Sequence, residues 1–207
     1  MQSRKHTAWK KNRKFSLRHG GRQRLKLDDN IFKQEHSFLP PEQGEETPIF
    51  IVENTSRDFF HPLTVAEIQA VLQQLPEQDV ENLTHIWLKN TPFDKAHQTN
   101  YIWGSRVELI TLYAFPCNLQ MRFERKPEQK DIRYHEKYTK DWREDKNGWY
   151  LQFTSESIRQ FYIEKLLLYS IGQMVNAIWQ RYAKNTSRKK VDDFATQYAN
   201  TNAKISI

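Results

Sequence analysis

Between Thr154 and Tyr182 the chain runs for 29 residues without a proline. Ser155 and the acidic Glu156 suit a helix start, and this much uninterrupted chain makes roughly seven helical turns or more. From Phe161 to Trp179 the apolar residues Phe161, Tyr162, Ile163, Leu166, Leu167, Leu168, Tyr169, Ile171, Met174, Val175, Ala177, Ile178 and Trp179 leave only a narrow polar strip. A helix so apolar must be covered on most sides. The spacing predicts one long helix with the rest of the domain packed around it.

At 207 residues the chain fits one domain plus an extension, long enough to bury a core without disulfides or metals. The single cysteine, Cys117, excludes an internal disulfide and reads as an inert strand-end residue. No run approaches the roughly 18 apolar residues of a membrane span, and the first residues lack the apolar core of a secretory signal. The expectation is a soluble, intracellular protein with no membrane contact, cytoplasmic unless the basic segment directs it to an organelle or the nucleus.

The net charge of +7 is unevenly spread. Arg4, Lys5, Lys10, Lys11, Arg13, Lys14, Arg18, Arg22, Arg24 and Lys26 precede the first acid, which leaves 22 basic residues against all 25 acids and a body near −3. Residues 1–30 have no apolar periodicity, and Trp9 and Phe15 are isolated among the cations. Such a stretch cannot bury enough surface to offset its ordering entropy and reads as a disordered basic tail. Dense cations with interleaved aromatics suit phosphate neutralisation and base stacking, so RNA or DNA is the expected partner. A solubilising tail, a nuclear-import signal and an organelle presequence are the alternatives.

Residues 31–47, with Pro40-Pro41 and Glu42, Glu45 and Glu46, read as an acidic linker whose charges fold back weakly on the tail. The body follows over 48–200. Pro48–Glu53 is a short buried strand, and Thr64 with Glu67 forms a capping box ahead of an amphipathic helix ending by Pro76. Thr84–Lys89 is a second strand, giving a β-α-β unit. Asn90–Asn100 reads as a loop, Val107–Phe115 as a strand closed by Pro116, and Leu119, Met121 and Phe123 as the buried side of another. The charged stretch 125–147 reads as a long exposed excursion, after which Asn147-Gly148 turns into a strand at Trp149–Phe153. Beyond the long helix, Ser187 caps a shorter one with Val191, Phe194, Ala195 and Tyr198 on its packing face, and 201–207 reads as frayed. The class is α+β: a small mixed sheet with one helix crossover, a long C-terminal helix and a second packing helix.

Two short stretches add wording to this layout. Leu166-Leu167-Leu168-Tyr169-Ser170-Ile171-Gly172-Gln173-Met174-Val175 has the frame of an apolar approach to H-E-h-G-H, and Val191-Asp192-Asp193-Phe194-Ala195-Thr196-Gln197-Tyr198-Ala199 is similar to the second helix that follows it. The chain thereby resembles a minimal zincin, the core of HExxH metallopeptidases, over about 48–200 in layout. In that family two histidines one turn apart hold zinc and the adjacent glutamate polarises its water. Here Tyr169 and Gln173 take the histidine positions, Ser170 takes the glutamate position, and only Asp192, matching the acidic third ligand, keeps a metal-binding group. Phenol and carboxamide are poor zinc ligands, and serine is no carboxylate base. Gly172 inside a helix costs about 1 kcal/mol relative to alanine, so close approach of a strand or the second helix is expected there. An ordinary core helix with one tolerated glycine is the plain alternative.

The histidines His6, His19, His36, His61, His85, His97 and His135 all precede the long helix, and no two are spaced i, i+4. His85 reads as a satisfied strand histidine. A site rebuilt from His97 or His135 with Asp192 needs loops to bring them together. There is no phosphate-binding glycine loop, no nucleophile elbow and no CxxC pair. The leading expectation is a non-catalytic zincin-like binding protein, without metal or cofactor, whose tail contacts nucleic acid or a ribonucleoprotein and whose body offers a protein-binding surface. The alternatives are a metal-dependent hydrolase with unconventional ligands, and a protein-protein adaptor whose working surface is Arg125–Lys146 and whose tail is only a targeting signal.

Overall fold

The computed structural model describes residues 39–90, 99–104, 107–180 and 187–204. The acid-free amino-terminal stretch lies outside these, and so do Arg4, Lys5, Trp9, Lys10, Lys11, Arg13, Lys14, Phe15, Arg18, Arg22, Arg24, Lys26 and His97.

The β-branched run at β1 (Ile49–Val52) pairs in parallel with β3 (His85–Lys89), which pairs in parallel with β5 (Val107–Tyr113). Every residue of β3 and β5 is buried, as expected of parallel strands covered on both faces. The crossover from β1 to β3 carries a two-residue strand β2 (Phe59–Phe60), helix α1 (Val65–Leu72) and one turn of helix, α2 (Glu77–Val80). Helix α1 starts where the sequence requires: the Thr64 hydroxyl accepts from the Glu67 N–H while the Glu67 carboxylate accepts from the Thr64 N–H. It buries Ile68, Val71 and Leu72.

A fourth strand, β4 (Thr99–Gly104), lies antiparallel on the outer side of β5, so the sheet order is β1-β3-β5-β4. Thr99 and Asn100 are therefore strand residues rather than the end of a loop. Tyr101, Ile102 and Trp103 are good strand formers, and β4 needs only one partner because it sits at the edge. The strand expected over 107–115 is divided: Phe115-Pro116 leaves β5 and forms β6, paired with β2.

Strands β7 (Gln120–Phe123), β8 (Trp142–Asp145) and β9 (Gly148–Gln152) make a second, antiparallel sheet in the order β7-β9-β8. Gly148, at φ +110°, closes the hairpin between β8 and β9. The stretch 125–147 is thus folded rather than a loop, although most of its side chains are exposed. It contains helix α3 (Gln129–His135) and β8, and it buries His135 and Tyr138. The apolar anchors in this charged segment are few but aromatic, and Phe123, Trp142 and Phe161 surround the His135 ring.

The long helix spans Ser155–Gln180 as α4 (Ser155–Phe161), a π-helical stretch (Tyr162–Leu167) and α5 (Leu168–Gln180). Its N-cap is Thr154, one residue before the expected start, in a reciprocal pair with Ser157. In the π-helical stretch the Leu168 N–H reaches back to Ile163 O. The added residue shifts the phase of the helix, and Tyr162, Ile163, Glu164, Leu166 and Leu167 are all buried. Helix α6 (Arg188–Asn202) follows from Ser187 and packs back along α5. Its packing face is Ala195, Tyr198 and Ala199, while Phe194 is 37% exposed. Thr201 and Asn202 belong to α6. Cys117 is exposed, not buried. Among the described residues no helix is long and apolar enough to cross a membrane.

Candidate functional site

Three half-buried residues, Lys165, Tyr169 and Gln173, lie one turn apart on the long helix and share its least covered face. The Tyr169 hydroxyl donates to Asp192 Oδ1 at 2.8 Å. Burial first, and the Asp192 carboxylate second, push the phenol up to about 12, so at neutral pH it stays protonated and acts as a donor. The Gln173 carboxamide also bonds the phenol and pulls in the opposite direction. Tyr169, Gln173 and Asp192 are thus neighbours, brought together from two helices.

The crossing of those helices explains the meeting. A Cβ added to Gly172 would fall 2.9 Å from Ala195 Cα and 3.0 Å from Tyr198 Cβ. The missing side chain lets α6 approach closely. Tyr169 and Asp192 each lie three residues before a member of the Gly172–Ala195 contact, hence on the same sides of their helices.

Ser170 points elsewhere. It is fully buried, and its hydroxyl lies 2.8 Å from Thr99 Oγ1 at the start of β4. Thr99 donates to Thr111 O at 3.0 Å, so Ser170 donates to Thr99. Ser170 is a fastener between α5 and the edge strand. A second tyrosine–aspartate pair ties α6 down at its other end: Tyr198 donates to the buried Asp79 Oδ2 of α2 at 2.9 Å.

Sequence reasoning passed over a buried carboxylate. Glu164 is 5% exposed and accepts from Lys137 Nζ at 2.5 Å, Tyr138 Oη at 2.6 Å and Gln160 Nε2 at 3.1 Å. An acid inside the apolar run from Phe161 to Leu168 was the available signal, because such a group is retained only when donors meet it. Lys165 beside it is lowered by burial, and its Nζ lies 5.1 Å from the Tyr134 ring centre.

The described histidines are occupied. His135 Nδ1 donates to Asp131 O at 2.8 Å, and its ring stacks on Phe161. His85 Nδ1 lies 2.9 Å from Thr84 Oγ1, and His61 Nε2 donates to Glu53 O. Among the described residues no group of three His, Cys, Asp or Glu side chains is placed to hold a metal ion. What the cluster on α5 and α6 offers is a neutral phenol, a carboxamide and a carboxylate with Oδ1 engaged: hydrogen-bonding groups, without an activated nucleophile. No protein-family model, curated protein or solved structure matches the chain.

Proposed function

We propose that this protein is a non-catalytic binding protein with a zincin-like body, whose basic amino-terminal segment engages nucleic acid or a ribonucleoprotein surface. The observation that carries the first half is the Tyr169–Asp192 hydrogen bond. At the positions where the resembled family places two histidines and an acidic ligand, this chain has a phenol donating to the carboxylate, with a carboxamide beside it. Such a set binds one helix to another and does not hold zinc. The glutamate position is also spent structurally, in the Ser170–Thr99 bond.

The second half rests on the ten cations before the first acid. Each phosphate neutralised releases counterions, so binding through such a segment falls steeply with salt. Trp9 and Phe15 supply faces on which bases stack. The test compares the full chain with a variant whose ten basic residues between Arg4 and Lys26 are changed to Gln, on unrelated RNA and DNA oligonucleotides across a salt series. Steeply salt-dependent binding by the natural chain alone supports the reading, and absence of binding at low salt ends it. Zinc analysis of untagged protein is the companion measurement: stoichiometric zinc lost in Asp192→Ala would overturn the metal-free reading and favour the alternative of a metal-dependent hydrolase with unconventional ligands.

A further inference from the structure

Among the described residues strand β1 has a partner on one side only. Its ladder to β3 uses the odd positions, as Ile49 N–H donates to Thr84 O and Glu53 N–H to Leu88 O, both at 2.9 Å. In a parallel pair the intervening residues turn their N–H and C=O groups the other way, so those of Phe50 and Val52 face outward. Among the described residues neither N–H finds an acceptor. Val52 is also 54% exposed, an apolar side chain at an open edge.

Beside this edge runs an open groove of about 800 Å³. Phe50 and Leu72 contribute apolar lining, and Glu45, Glu46, Glu77 and Glu81 are its acids, all four exposed, with no Lys or Arg among its lining residues. Edge strands are commonly guarded by lysines, prolines or bulges, and β1 contains none of these. An open row of backbone groups next to a groove of mixed polarity and one charge sign is the geometry of strand addition: main-chain bonds give affinity and alternate side chains enter the groove.

We propose that the β1 edge and its acidic groove accept an extended, Lys- or Arg-bearing segment of a partner protein as an added strand. Charge complementarity selects the occupant. Four carboxylates favour a cationic strand and repel an acidic one. The inference stands on the geometry of the body and is independent of the function proposed for the amino-terminal segment.

The test uses the full chain and a short fluorescein-labelled peptide of alternating Lys and Val, with an alternating Glu and Val peptide as control. Val52→Pro removes an outward N–H while leaving the β1–β3 ladder intact. Glu77→Lys with Glu81→Lys reverses the groove charge on an exposed helix and does not touch the strand. Binding of the Lys peptide weakened at least about tenfold by each variant, with no binding of the Glu peptide, supports the proposal. Four results would overturn it: no binding of the Lys peptide, equal binding of both peptides, affinity unchanged in the charge-reversal variant, or binding that appears only after the chain's own ten amino-terminal cations are neutralised. Self-association of the natural chain that Val52→Pro abolishes would also overturn it, by making a second copy the occupant.

Discussion

Gly172 and Ala195 meet so closely that a methyl group on the glycine would stand 2.9 Å from the alanine Cα. The obstructing atom is backbone and cannot swing aside. This one contact sets the spacing of α5 and α6, and one turn earlier on each helix Tyr169 reaches Asp192. The hydrogen-bonded pair is a consequence of the crossing.

Gly172→Ala therefore has two opposing terms. Helix propensity favours alanine by about 1 kcal/mol, whereas overpacking against a fixed backbone costs typically about 1–3 kcal/mol. The balance is expected to be a loss of up to about 2 kcal/mol in chemical denaturation. An alanine variant as stable as the natural protein would mean that α6 can retreat freely.

Glu164 presents a buried carboxylate with unequal donors. Tyr138 is 7% exposed and has nowhere else to donate, while half of the Lys137 side chain is in water. Glu164→Ala is expected to cost about 3–5 kcal/mol, because it strands the Tyr138 hydroxyl and opens a cavity. Lys137→Met is expected to cost under about 1 kcal/mol, since its ion pair is exposed on the lysine side. Urea melts of the two variants read the difference, and equal costs would contradict this division.

Much of the sheet and helix layout was legible because it rests on local signals: the Thr64–Glu67 box, the β-branched runs at β1 and β5, and the proline-free stretch before Tyr182. The segment 125–147 was not. Its charges give no periodicity, and it folds because three aromatic side chains, Phe123, Trp142 and Phe161, close around His135. Strand β4 was missed because it borrows its order from its antiparallel pairing with β5. The π-helical stretch was hidden for a different reason: Tyr162–Leu167 carries no glycine or proline, and its burial is decided by the sheets beneath it. Of the candidate site, the nearness of Tyr169 and Gln173 was readable from helical spacing, whereas Asp192, on a separate helix, was singled out only by the family resemblance. The separate direction of Ser170, fixed by Thr99, was not readable.

Burial lowers His135 below its ordinary 6.5, and His85 shifts the same way for the same first cause. For His135, Asp131 acts against burial and Lys165 adds to it. The unfolded chain thus takes up these protons first as the pH falls. Stability is complete above about pH 6.5 and declines below it until the folded-state values are passed. His135→Phe should flatten part of that decline, read as unfolding free energy at several pH values from neutral downward. Asp141 and Asp145, held low first by hydrogen bonds from Arg143 and Arg122, titrate below 3.8 and fall outside that window. A natural protein whose stability is flat between neutrality and about pH 5 would contradict the assignment.

The proposed zincin-like layout makes a stronger demand on Tyr169, Gln173 and Asp192. If the phenol and carboxamide stand at the places of two metal-binding histidines, restoring the imidazoles should restore the site. Tyr169→His with Gln173→His places two ligands one turn apart beside the Asp192 carboxylate, a set of three protein ligands with room for water as the fourth. The double variant is expected to take up one zinc ion per chain by calorimetry, and zinc at a hundredfold excess over its Kd should raise stability by about 2.7 kcal/mol. Asp192→Ala added to the pair should remove most of that gain, and the natural chain should show none. A folded double variant that binds no zinc would mean that these side chains do not converge as a metal site requires, and the reading of α5 and α6 as an altered metallopeptidase site would fall with it.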